Sequence, residues 1–65
     1  MKLNTEEIKR LARIKGLSSW SFSRRTTLSQ STASRILAGR TSSTNEEKAR
    51  SLARALGVDP NQIRG

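Results

Sequence analysis

Residues that start helices and residues that stop them recur along the whole chain, and their spacing leaves room only for short helices. Asn4, Ser18, Ser29, Thr44 and Asp59 can each cap a helix by accepting a backbone N–H that the first turn leaves free. Gly16, Gly39 and Gly57 stand where those helices should end, since glycine tolerates the left-handed residue that closes a last turn. Asn4 with Glu7 three positions on reads as a capping box, and Ile8, Leu11 and Ile14 then share roughly one face. Ser18 caps a second helix to about Arg25, which the branched Thr26 and Thr27 do not continue. Ser29 opens a third, from Gln30 to Ala38. After a polar loop, Arg40 to Ser43, the run Thr44-Asn45-Glu46-Glu47 reads as a full capping box and starts the fourth helix at Asn45. Ala49, Leu52, Ala53 and Leu56 form its buried stripe. Asp59-Pro60, a cap followed by proline at the first helical position, opens a last turn that carries Ile63. Nothing alternates with period two. The expected fold class is all-α: a compact bundle of four to five short helices, one domain over residues 1–65.

Charge bounds the partner. The chain holds 13 Lys and Arg against 5 Asp and Glu, a formal charge of +8, with neither His nor Cys. Such an imbalance works against compactness and attracts polyanions, nucleic acid first and an anionic membrane surface second. A chain of 65 residues buries only ~60% of its unfolded surface, and without cysteine no disulfide adds stability. The pairs Glu6-Glu7 and Glu46-Glu47 fall at helix starts, where the helix dipole accounts for them better than a metal does. With a single aspartate placed as a cap, no acid–base or nucleophilic set remains, so neither an enzyme nor a cofactor is expected. No apolar run approaches the ~18 residues of a membrane span. The opening MKLNTEEIKR lacks the apolar core of a signal peptide, which makes the cytoplasm the expected location.

The third helix is unusually polar for so small a protein. Ala33, Ile36 and Leu37 recur at inward spacing and leave Gln30, Ser31, Ser34 and Arg35 outside. About four residues, Arg25 to Leu28, join it to the second helix, the length of a helix-turn-helix connection. In that motif the second helix is exposed because it enters the major groove of DNA. Gln suits an adenine edge, Arg the O6 and N7 of guanine, and Ser hydroxyls adapt as donor or acceptor. An ordinary surface helix rich in serine would explain the polarity alone, but not the polarity together with the tight turn, the glycine stop and the charge.

The run Ile8, Leu11, Lys15-Gly16-Leu17-Ser18, then Ser29-Gln30-Ser31-Thr32-Ala33-Ser34-Arg35-Ile36 and Gly39, resembles the phage-repressor and Cro-type helix-turn-helix family, the lambda-repressor-like DNA-binding domains. Arg54-Ala55-Leu56-Gly57-Val58-Asp59 is similar to that family's closing segment, and the resemblance spans about residues 6 to 63. Thr32 to Arg40 is also similar to the lac-repressor headpiece, but that family opens directly on its helix-turn-helix, without a capped helix before it. The resemblance implies base reading at Gln30, Ser31, Ser34 and Arg35, and phosphate contacts at Ser18, Ser19, Arg24 and Arg40. Lys9, Arg10 and Arg13 read as a largely solvated face. It further implies a Cro-like repressor of transcription acting on double-stranded DNA, as a weak homodimer completed on a two-fold-symmetric operator. Neither a membrane nor a small-molecule ligand is expected as a partner.

The sequence departs from the family pattern at several positions. Thr27 stands where the family has a turn glycine, and a β-branched residue at positive φ is costly, so a different turn path is expected. Ser23 replaces the usual alanine of the second helix. Ala12 and Leu37 replace a partly buried Arg–Glu pair, one coordinated exchange for packed apolar groups. Trp20 replaces a polar residue and is expected to pad a thin core, with a subunit contact as the alternative. Any dimer surface is expected around Val58 to Ile63. An antitoxin of a toxin–antitoxin pair is the rival reading on the same fold, with Trp20 marking its protein contact. A basic helical peptide acting on membranes or RNA would need a broad apolar stripe or stacking aromatics, which the chain lacks.

Overall fold

Four of the five expected caps form, and the fifth shifts one residue, from Thr44 to Asn45. In the computed structural model, which describes all residues from Met1 to Gly65, the side chains of Asn4, Ser18, Ser29, Asn45 and Asp59 each accept a backbone N–H from two or three residues on. They open α1 (Thr5–Lys15), α2 (Ser19–Arg25), α3 (Gln30–Leu37), α4 (Glu46–Leu56) and a 3₁₀ turn (Pro60–Ile63). The result is the expected all-α bundle, four α-helices with the fifth element tightened to 3₁₀. Gly16 and Gly57, at φ 68° and 71°, close α1 and α4 with N–H bonds back to the last carbonyls.

Neither capping box closes. The Asn4 N–H donates to the Ile63 carbonyl at 2.7 Å, so the Glu7 carboxylate does not return to it and grips Arg10 instead. At α4 the cap is Asn45, not Thr44, and the residue three positions on is Lys48, which has no acceptor to offer. The Thr44 N–H goes to the carbonyl of Met1 at 3.0 Å.

The core is wholly apolar. Phe22 from α2, Leu28 from the turn, and Ala33 and Ile36 from α3 meet the α4 stripe of Ala49, Leu52, Ala53 and Leu56. From α1 come Ile8, Leu11 and Ala12, whereas Ile14 is 67% exposed. Ala12 lies one turn beyond Ile8 on the inward line; Ile14 is ~120° round from Ile8 and points to solvent. Leu37 is half-buried against the same core, so both members of the Ala12–Leu37 exchange sit at apolar surfaces. Packing is closest between α2 and α3, which α4 and α1 support from behind.

A short extended segment at the start of the chain completes the molecule, and helix patterning gave no sign of it. Leu3 is buried; its N–H donates to the Ser42 carbonyl at 2.6 Å, while the Gly65 N–H donates to the Lys2 carbonyl at 3.0 Å. Residues 2 and 3 thereby form two isolated antiparallel bridges, to Ser43 and to Arg64. The loop after α3 and the end of the chain are both tied to residues 1–4.

Candidate nucleic-acid interface

The turn between α2 and α3 is built on a threonine. Thr26 leaves the helix in an extended conformation, φ −130° and ψ 176°. Its Oγ1 donates to the Phe22 carbonyl at 2.6 Å and accepts the Leu28 N–H at 3.1 Å, which turns the chain and aims Leu28 into the core. Thr27 is not at positive φ; no residue other than glycine is. Its N–H donates to Ser51 Oγ of α4 at 3.3 Å. The turn therefore follows the different path expected of it, because the Thr26 hydroxyl does the work of a left-handed glycine.

On α3, Ala33 and Ile36 are buried at 1% exposure each, which fixes the helix about its axis. Gln30, Ser31, Ser34 and Arg35 are exposed and line one shallow surface depression. None of the four enters a side-chain hydrogen bond or ion pair within the chain, so their donors and acceptors face solvent. Ser29 and Thr32 differ: the Ser29 hydroxyl accepts the Thr32 N–H at 3.2 Å and donates to Thr32 Oγ1 at 3.0 Å. Those two hydroxyls are committed to the cap.

The four expected phosphate residues lie apart, on α2 and on the loop after α3. Ser18 spends its hydroxyl on the α2 cap, accepting the Ser21 N–H at 3.3 Å, and Ser19 is half-buried beside it. Arg24 and Arg40 are exposed, and the Arg40 N–H is held by the Arg35 carbonyl at 2.8 Å. Ser23, half-buried, donates its hydroxyl to the Trp20 carbonyl at 2.7 Å.

Two ion pairs form, Glu7–Arg10 on α1 and Glu46–Arg50 on α4. Glu7 is held below the usual carboxylate range, first by the hydrogen bond from Arg10; Arg10 is raised in turn. Arg10 thus belongs to a pair within α1 rather than to a free basic face. No acidic residue occurs between Glu7 and Glu46, so Arg24, Arg25, Arg35 and Arg40 have no carboxylate near in sequence to neutralise them. No three acidic side chains gather to hold a metal ion, and no helix is long and apolar enough to cross a membrane.

A family model described as a helix-turn-helix domain matches residues 5–64. The chain belongs to the helix-turn-helix domain family. No curated protein and no solved structure matches the chain. Membership carries DNA binding with it, and α2, the turn and α3 are the helix-turn-helix of this chain.

Two residues, one on α2 and one in the 3₁₀ turn, depart from what the sequence led one to expect. Trp20 does not pad the core; it is 56% exposed, with the Arg24 guanidinium over its ring at 4.8 Å. The signal was available, because Trp20 lies two residues before the inward Phe22 and so ~200° round the helix. Ile63, expected at a dimer surface, is fully buried, and the 3₁₀ turn presents Asn61 and Gln62 instead.

Proposed function

We propose that the protein is a sequence-specific regulator of transcription of the phage-repressor and Cro type, with α3 in the major groove. Gln30, Ser31, Ser34 and Arg35 read base edges, while Arg24 and Arg40 hold phosphates with their guanidinium groups and Ser18 and Ser19 with the backbone N–H groups at the start of α2. One observation carries this reading: the four outward side chains of α3 form a single open, unpaired polar surface while the helix is locked from behind by Ala33 and Ile36. A rigidly seated helix with unspent donors and acceptors is what base recognition requires.

The molecule measures 22 × 21 × 18 Å, whereas half-sites of such motifs repeat at ~34 Å along the duplex. One protomer therefore reaches one half-site, and two protomers occupy a two-fold-symmetric operator. Selection of bound duplexes from a random pool tests the reading. A symmetric consensus with half-sites about one helical turn apart is expected, together with a log–log salt slope of about −9 for a dimer making ~5 phosphate contacts per subunit. A pool that never enriches, or a slope near zero, overturns it.

A further inference from the structure

The outer face of α2 carries a feature that base reading by α3 leaves unexplained. Trp20 and Arg24 point directly away from the core, and with Ser21 and Arg25 they line an open recess that contains no carboxylate. The guanidinium lies over the indole at 4.8 Å, so the pair forms one stacked unit with the cation on one face of the ring. We propose that this unit is a clamp for the DNA backbone: the Trp20 ring packs on a deoxyribose and holds Arg24 against the adjoining phosphate. The proposal rests on the DNA-binding reading above.

Geometry and charge favour this occupant. A helix is 10–12 Å across with its side chains, packed axes lie ~8–10 Å apart, and the major groove is ~12 Å wide. With α3 in the groove, α2, packed closely on it, comes over the strand that borders the groove. A second copy of this +8 chain would meet the two exposed arginines with like charge, whereas a phosphodiester meets them with opposite charge. Indole also suits the junction of sugar and phosphate, having an apolar face beside a polar edge.

Trp20 is the only tryptophan, so its fluorescence reports on this site alone. A fluorescein-labelled, mixed-sequence duplex of ten base pairs, too short for two protomers one turn apart, is titrated at low salt and binding is followed by anisotropy. Acrylamide quenching, which adds no ions, is measured on the same samples. The clamp predicts that the Stern–Volmer constant falls about threefold or more in step with duplex saturation. It also predicts that Trp20→Ala weakens binding about three- to tenfold with an unchanged salt slope, and that Trp20→Phe restores most of the loss. Arg24→Ala instead lowers the slope by about 0.9 per protomer. A saturated duplex with the quenching constant unchanged overturns the clamp alone. Protection that appears only on duplexes long enough for two protomers assigns Trp20 to a subunit contact and overturns it as well. No anisotropy change at any salt concentration overturns the DNA-binding reading, and the clamp with it.

Discussion

The backbone N–H of Thr27 donates to the hydroxyl of Ser51, 3.3 Å away and 24 residues later in the chain. A position in the turn of the helix-turn-helix is thereby tied to the middle of α4. Ser51→Ala removes the acceptor and leaves Thr27 to water. The expected cost is about 0.5–1.5 kcal/mol in chemical unfolding, with faster hydrogen exchange confined to the turn. Unchanged exchange at Thr27 would mean that the bond does not hold in solution.

Restoring the family's glycine at the turn should do harm. Thr27 lies at negative φ, so Thr27→Gly gains no relief from strain and adds freedom to the unfolded chain. A loss of about 0.5–1 kcal/mol is expected, with a larger loss, about 1–3 kcal/mol, for Thr26→Val, which keeps the shape but deletes both hydroxyl bonds. Paired urea titrations measure both. A stabilised Thr27→Gly protein would show that the turn visits positive φ.

Arg35 and Arg40 should separate base reading from phosphate grip, although they lie close in sequence. Arg35→Ala is expected to cost about 1–3 kcal/mol on the selected operator and to relax discrimination at one base pair per half-site. Arg40→Ala should weaken all duplexes alike and reduce the salt slope by about 0.9 per subunit. Competition against single-base operator variants distinguishes them. If Arg35→Ala left the ranking of variants intact, Arg35 would be a second backbone contact and Gln30 the leading reader.

Acid should weaken the junction of α1 with the 3₁₀ turn. The Glu7 carboxylate takes two 2.7 Å bonds from Arg10 and one of 3.5 Å from Gln62, and it titrates below its ordinary 4.5. A depressed folded value stabilises above the unfolded pKa and loses that contribution as pH falls through the folded one. Glu7→Gln should therefore melt below the parent near neutrality, and the gap should close as the pH falls below 4.5 and through the lowered folded value. The pair is solvent-exposed, so added salt should narrow the gap too. A gap independent of pH would assign the effect to packing.

Local rules carried most of the fold. Caps and stops are decided within one turn of chain, which is why Asn4, Ser18, Ser29 and Asp59 were legible and the cap of α4 was legible to within one residue. The outward arc of α3 was legible for a related reason: Ala33 and Ile36 orient the helix, so Gln30, Ser31, Ser34 and Arg35 follow from angular spacing. Counting only large apolar side chains misled at Ile14, because the small Ala12 occupies the inward line in its place. Size misled again at Trp20, where the angle to Phe22 was the better guide. The capping boxes failed because Ile63 and Met1, remote in sequence, supply the competing backbone partners. Pairing of Leu3 with Ser42 has no local signature at all.

The pairing of Lys2 with Gly65 has a topological consequence. Because Lys2 bonds to Gly65 across 3.0 Å, the two ends of the chain described here are neighbours, and a few glycines and serines would join them without strain. A ring closed in this way could be reopened in the exposed, polar stretch around Arg40, giving a circular permutant in which α4 comes first and α3 last. The order in which the helices are written would change while the unit of α2, turn and α3 stayed unbroken, so whatever that unit recognises should be recognised by the permutant as well.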